Sequence, residues 1–217
     1  MSLNAQLQAL FDSIKGQAPP PVIEKALAIF KRLRDAGLGE EAPKAGDKAP
    51  DVQFKTLENE TVALSSLLAS GPVVLVFYRG RWCPFCDLTL RAFEKEAAAF
   101  EAAGARLIAV SPQTVVESQL TASERGISMQ LLSDFHNAAG SAFGVVWSLT
   151  EEEKQLYKSF NSLLDAANGD DRWQLPAPAI FVIDRSGVVR WSHVDPDHTR
   201  RPEPGDVLET VKALRIA

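Results

Sequence analysis

The stretch from Val73 to Gly104 constrains this chain more than any other. Val73-Val74-Leu75-Val76-Phe77-Tyr78 is an uninterrupted β-branched and aromatic run, which reads as a strand buried on both faces. After a short turn, a helical pattern runs from Cys83 to Ala103 with Leu88, Phe93 and Phe100 on its apolar side, and Gly104 ends it. At the seam stand Cys83 and Cys86, the only 2 cysteines in 217 residues. Residues three apart on a helix lie within side-chain reach, and their Cα separation falls inside the window of roughly 4.4–6.8 Å that a disulfide needs. A bridge closing so small a loop adds little stability, because the gain grows with the loop closed. The spacing therefore points to a CxxC pair whose bond opens and closes.

The flanking pattern extends the same unit. Arg106 to Val110 is a second buried strand, Thr114 to Arg125 a helix closed by Gly126, and Met129 to Leu132 a third strand, followed by a short helical stretch over His136 to Phe143. Ahead of the central strand, Asp51 to Phe54 and Thr61 to Leu64 form a hairpin around Glu58-Asn59-Glu60. Residues 148 to 172 read as a polar, loop-rich insertion with a helix over Glu151 to Leu164. Ile180 to Ile183 and Val188 to His193 are strands joined by the turn Asp184-Arg185-Ser186-Gly187, and Asp206 to Arg215 closes the chain as a helix. Strands alternating with helices, then a terminal hairpin and helix, imply an α/β fold with a central mixed β-sheet flanked by helices.

The N-terminal part is different in kind. Leu3, Leu7, Leu10 and Ile14, then Val22, Ala26, Ile29 and Leu33, carry helical spacing on either side of Pro19-Pro20-Pro21. Gly37, Gly39, Pro43 and Gly46 mark a linker. Residues 1–44 are thus expected to be a helical arm and linker, and residues 45–217 the main domain. An amphipathic arm buries one face, either on that domain or in a homodimer.

Composition narrows the function class. Against 28 Asp+Glu stand 23 Lys+Arg, a net charge of −5, which argues against nucleic acid or an anionic membrane as partner. No run approaches the roughly 20 apolar residues of a spanning helix, and the N-terminus lacks a basic region followed by a continuous apolar stretch. Two cysteines confined to one motif suit a reducing compartment, so the expected location is cytoplasmic.

Cys83 at a helix N-terminus faces unpaired backbone N–H groups and the positive end of the macrodipole, which favour the thiolate, the attacking species. Arg79 and Arg81 flank the turn, and each is either a partner of the sulfurs or solvated surface charge. Pro84 suits the first helical turn, Phe85 shields the sulfurs, and Trp82 is core or site wall. A structural zinc needs four ligands; His136, His193 and His198 form no second pair beside the cysteines, so no metal and no other cofactor is expected.

Residues of about 45 to 217 resemble the thioredoxin-like superfamily, and within it the AhpC/TSA (alkyl hydroperoxide reductase and thiol-specific antioxidant) group of peroxiredoxins. The marks are Ala45-Gly46-Asp47-Lys48-Ala49-Pro50, the strand Val73 to Tyr78, Leu132-Ser133-Asp134, Phe143-Gly144-Val145 and Phe181-Val182-Ile183-Asp184. Counted from Phe77, the peroxiredoxin pattern puts its proline at Arg79, its threonine at Cys83 and its peroxidatic cysteine at Cys86, while its late arginine falls at Pro178. Thioredoxins instead carry Trp-Cys-x-x-Cys with a facing cis-proline, a pattern that Trp82, Cys83, Cys86 and Pro178 fit. That likeness implies a cis Ala177-Pro178 bond.

The resemblance implies a thioredoxin-like fold with an N-terminal helical extension, and a thiol-dependent oxidoreductase with an antioxidant role. Cys83 and Cys86 are its catalytic dithiol, supported by Arg79, Trp82, Pro84 and Pro178. Its substrate is a peroxide or a disulfide, and its reductant an external thiol such as thioredoxin or glutathione. In the peroxide version Cys86 attacks and Cys83 resolves; in the exchange version the roles invert. The alternative is a redox-sensing module that signals through the dithiol and the N-terminal helices.

Overall fold

A computed structural model describes residues 1–214; the expected last residue of the closing helix, Arg215, lies outside them. The chain opens with α1 (Leu3–Gln17) and α2 (Pro20–Asp35). The Ser2 hydroxyl caps α1 by accepting from the Ala5 N–H at 3.2 Å, and Pro20 starts α2 where a missing N–H leaves nothing unpaired. There follow β1 (Gln53–Lys55), β2 (Thr61–Ala63), α3 (Leu64–Leu68), β3 (Val73–Phe77), α4 (Pro84–Ala102), β4 (Arg106–Ser111), α5 (Val115–Arg125) and β5 (Gln130–Ser133). A 3₁₀ turn (Phe135–Asn137) leads into α6 (Ala138–Ala142), β6 (Val146–Ser148), α7 (Glu151–Ser159), α8 (Leu164–Asn168) and β7 (Gln174–Pro176). The last elements are β8 (Ala179–Ile183), β9 (Val189–Val194) and α9 (Pro204–Leu214).

The main sheet runs β2-β1-β5-β4-β3-β8-β9. Strand β3 pairs parallel with β4 and antiparallel with β8, and β4 pairs parallel with β5. This is the mixed sheet expected from the pattern, with β3 an inner strand paired on both sides between β4 and β8. Alternation along β3 divides the core. Val74, Val76 and Tyr78 face the side covered by α1, α4 and α9, where Leu7, Phe93, Phe100 and Val207 are buried. Val73, Leu75 and Phe77 face the other side, against Leu64 and Leu67 of α3, Phe143 and Phe181.

A third apolar cluster joins the arm to the segment read from sequence as an insertion. Ile29 and Leu33 of α2 pack with Trp147, Leu156, Tyr157, Trp173 and Leu175. Residues 148–172 are bracketed by the β6-β7 ladder and hold α7 and α8, so they are more ordered than a polar loop. The expected helix over Glu151 to Leu164 breaks at Ser159, because Asn161 takes a left-handed φ of 55°. The Arg32 guanidinium donates to Glu153 through Nε and Nη2, both at 2.8 Å, a two-pronged bridge between α2 and α7.

The Ala177-Pro178 bond is trans, which corrects the expectation of a cis-proline. The Gln174–Pro176 strand runs extended straight toward β8, and the Ala177 N–H donates to the Val145 carbonyl at 2.7 Å. Extended backbone is the conformation a residue before proline prefers, and trans is the better isomer by about 0.5–1 kcal/mol wherever nothing opposes it.

Leu7 is fully buried against α4 on the first face of the sheet. Replacing Leu7 by Ala is expected to lower the unfolding free energy by about 2–5 kcal/mol. Urea denaturation checks this; an unchanged midpoint would mean that α1 does not share the core.

Candidate active site

The C-terminal end of β3 delivers the site. Gly80 makes the turn at a φ of 147°, and a Cβ there would meet the Trp82 indole nitrogen at 2.6 Å. The Cys83 N–H donates to the Gly80 carbonyl at 3.1 Å, and α4 then starts with Pro84 in its first turn. Cys83 is the N-cap: its Sγ accepts from the Cys86 backbone N–H at 3.3 Å. Cys83 and Cys86 are 0% and 1% exposed, with no disulfide between them.

Arg79 and Arg81 part company at the turn. Arg81 turns outward to ion pairs with Glu117 and Glu124 on α5, both at 3.0 Å. Arg79 turns inward and is 4% exposed. Its Nη2 donates to Cys83 Sγ at 3.0 Å and its Nη1 to the Tyr157 hydroxyl at 2.9 Å. The guanidinium lies 5.1 Å from the centre of the Trp82 ring, which meets Tyr157 edge-on at 5.7 Å. Burial works against its charge, but the Cys83 sulfur, Tyr157 and Cys86 hold it protonated.

A second buried guanidinium, Arg201, comes from the segment between β9 and α9 and is 5% exposed. Asn4 of α1 holds its backbone, the side-chain amide donating to the Arg201 carbonyl at 2.7 Å. Beside it His198 is wedged edge-on between Phe30 of α2 and Phe85 of α4, at 4.7 and 5.1 Å. Burial and the charges of Arg79 and Arg201 hold this imidazole well below its usual pKa, so it is neutral near pH 7.

These cations set the state of the thiols. Burial alone would raise both. Cys86 is nevertheless drawn well below the ordinary thiol range, because the Cys83 thiol donates to it and Arg79 and Arg201 stabilise its charge. Cys83 is driven well above that range by burial and by giving its proton to Cys86, against the pull of Arg79. The two guanidiniums therefore favour a negative charge on the pair, with Cys86 the more acidic sulfur.

The expected site residues Cys83, Cys86, Arg79, Trp82 and Pro84 lie together, and Pro178 lines the cavity that opens beside them. Sequence reasoning missed Tyr157, His198 and Arg201. Tyr157 lies in the helical segment read as an insertion, and Arg201 in Asp197-His198-Thr199-Arg200-Arg201, a run that reads as solvated charge. Two cationic side chains act on the sulfurs, Arg79 through its contact with Cys83 and Arg201 through its charge.

The AhpC/TSA family model matches residues 45–192. Over 89% of the chain it is 27% identical to the chloroplastic peroxiredoxin Q of Triticum aestivum, covering 79% of that protein. Over 76% of the chain it is 26% identical to alkyl hydroperoxide reductase E of Mycobacterium tuberculosis, covering 89% of that protein. Among solved structures, the peroxidoxin BcpB of Mycobacterium tuberculosis superposes with a TM-score of 0.62 at 25% identity, covering 80% of this chain and 99% of that one. A peroxiredoxin-like protein from Aquifex aeolicus gives the same TM-score of 0.62 at 21% identity, over 80% and 90% of the two chains. The fold is thus thioredoxin-like. Arg201 and the helices α1 and α2 lie outside the residues that the family model matches.

The shared charge has a pH signature. An unfolded thiol titrates near roughly 8.5. Between the lowered Cys86 value and that point the unfolded chain binds more protons, so stability rises with pH; above it the raised Cys83 reverses the sign. The difference in unfolding free energy between reduced wild type and the Cys83→Ser/Cys86→Ser double variant should therefore peak near pH ~8.5. A flat difference between pH 6 and 10 would rule out the shared proton.

Proposed function

Since this chain belongs to the AhpC/TSA family and is a peroxiredoxin-type thiol oxidoreductase, we propose that Cys86 is its peroxide-attacking sulfur and Cys83 the resolving one. The observation that carries this reading is the placement of two buried sulfurs on the buried Arg79 guanidinium, whose Nη2 donates to Cys83 Sγ at 3.0 Å, with a second buried guanidinium, Arg201, drawing charge toward Cys86. The Cys86 thiolate attacks the terminal peroxide oxygen; an S–O bond forms, the O–O bond breaks, and the departing alkoxide or hydroxide takes up a proton. Cys86 is left as a sulfenic acid. Cys83 then attacks that sulfur, the S–S bond forms, and the sulfenic oxygen leaves as water after protonation. An external thiol such as thioredoxin or glutathione reduces the disulfide and completes the cycle.

Each neighbour has a part in these steps. Arg79 and Arg201 stabilise the attacking thiolate and the negative charge that develops on the peroxide oxygens, an effect strengthened by exclusion of water. Tyr157 fixes the Arg79 guanidinium through its hydroxyl. Exchange with a protein disulfide has less support, because both sulfurs are buried and a small oxidant reaches them more readily than a second chain. A sensing module signalling through the N-terminal helices has less support too, since Leu3, Leu7, Ile29 and Leu33 already turn their apolar faces into the molecule.

Cys86→Ser is expected to abolish peroxide consumption. Cys83→Ser is expected to complete the first oxidation and stop there, accumulating a sulfenic acid that dimedone labels on Cys86, with turnover by a dithiol reductant lost. Mass spectrometry of the labelled chains distinguishes the two. Sulfenic acid on Cys83 in the Cys86→Ser variant would invert the assignment.

A further inference from the structure

The turn that carries Arg79 is held by a residue from another part of the chain. Strand β4 lies parallel to β3 and ends at Ser111, and Pro112, Gln113 and Thr114 lead from it into α5. Gln113 is fully buried in that loop. The backbone around it is pinned on both sides. The Ser133 hydroxyl of β5 donates to the Gln113 carbonyl, and the Thr114 N–H donates to the Ala167 carbonyl of α8 at 2.9 Å. The Thr114 hydroxyl caps α5 by accepting from the Glu117 N–H at 3.3 Å. The Gln113 side chain therefore springs from a fixed base.

Its amide reaches the turn between β3 and α4. Gln113 Oε1 accepts from the Arg81 backbone N–H at 2.6 Å, and it lies only 3.0 Å from where a Cβ on Gly80 would stand. Gln113 Nε2, by contrast, is closed from solvent and has no partner. Turning the amide over would set two donors face to face at Arg81, so the side chain keeps its bond to the turn and leaves one donor unpaired. A buried unpaired donor is costly, and one retained beside an active site calls for a reason. The reason lies in the turn itself: Gly80, at a φ of 147°, separates the inward Arg79 from the outward Arg81. The Arg81 side chain adds ion pairs to Glu117 and Glu124, but these lie toward solvent, where such pairs contribute little.

From this geometry we propose that Gln113 is a positioning residue: by holding the Arg81 N–H and packing on Gly80, it fixes the turn in the conformation that sets Arg79 Nη2 on Cys83 Sγ. The role rests on the reading that Arg79 stabilises the attacking thiolate, and Gln113 acts on the sulfurs only through that guanidinium. Without the acceptor, the Arg81 N–H is left unpaired and the peptide turns to find another partner. Arg79 then swings away from its fixed place. Because Arg79 draws both thiols toward the thiolate, loosening it raises the pH at which the pair ionises.

Gln113→Met keeps the length of the side chain and removes the acceptor. In the reduced protein, ultraviolet thiolate absorbance, taken against the Cys83→Ser/Cys86→Ser double variant, is expected to titrate about one pH unit above wild type, a tenfold loss of thiolate at a given pH on that limb. The acid limb of kcat/KM for hydrogen peroxide should move with it, whereas a merely structural defect lowers the rate at every pH. Gln113→Asn keeps the amide but draws its oxygen back by a methylene; it should shift the same way, and it replaces the Met variant if that chain lacks a wild-type circular dichroism spectrum. Arg81→Ala retains the backbone N–H and should titrate as wild type. An unshifted titration in folded Gln113→Met or Gln113→Asn, alongside a shift in Arg79→Met, would overturn the positioning role, and so would an equal shift in Arg81→Ala. A titration that Arg79→Met itself leaves unchanged would overturn the reading of Arg79 instead.

Discussion

The Arg79 guanidinium, buried just past the end of β3, is the constraint on which the rest of the site depends. An unpaired cation in the interior costs several kcal/mol, so its surroundings must supply both an anion and hydrogen-bond acceptors. Cys83 Sγ and the Tyr157 hydroxyl accept from it at 3.0 and 2.9 Å, and the Trp82 ring lies 5.1 Å away. The negative charge that the two sulfurs share is therefore also what makes the buried cation tolerable. Removing either charge leaves the other stranded.

That requirement reaches outward through the structure. Tyr157 can meet Arg79 only if α7 is held against the body of the protein, and the two-pronged Arg32 to Glu153 bridge ties α7 to α2. Asn4 at the start of α1 holds the Arg201 backbone, and Leu3 and Asn4 donate their N–H groups to Glu203 at 2.9 Å. Each cation near the sulfurs is thus indirectly braced by one of the two N-terminal helices. Because these braces span distant parts of the chain, they form only when the sheet, the arm and residues 148–172 are all in place.

How much of this was legible in the sequence follows from the range of the interactions. Strand β3, helix α4 and the N-terminal placement of Cys83 are local: a β-branched run, a proline suited to the first turn and a glycine after the last one specify them. The paired strands β6 and β7 were not legible, since each is only 3 residues long and exists by pairing with the other. The break at Asn161 was missed because polar helical spacing continues through it. Arg79 and Arg81 look alike in sequence; only the turn at Gly80 sends one in and one out. Tyr157, His198 and Arg201 reach the site through tertiary folding, which no spacing encodes.

The cysteine spacing acquires a sharper physical meaning in this setting. A CxxC at a helix N-terminus ordinarily activates its first cysteine, the one nearest the free N–H groups and the helix dipole. Here Cys83 does accept the Cys86 N–H, yet a second guanidinium stands beside Cys86, and a single proton must be divided between them. The helix end favours Cys83 and Arg201 favours Cys86, while Arg79 serves both. Placing the charge on Cys86 lets the Cys83 thiol donate to it, whereas placing it on Cys83 forfeits the contact between Arg201 and an anion. On the proposed assignment the balance is tipped by Arg201, 115 positions beyond Cys86 in the chain, which makes the order in which the two sulfurs react a property of the whole fold.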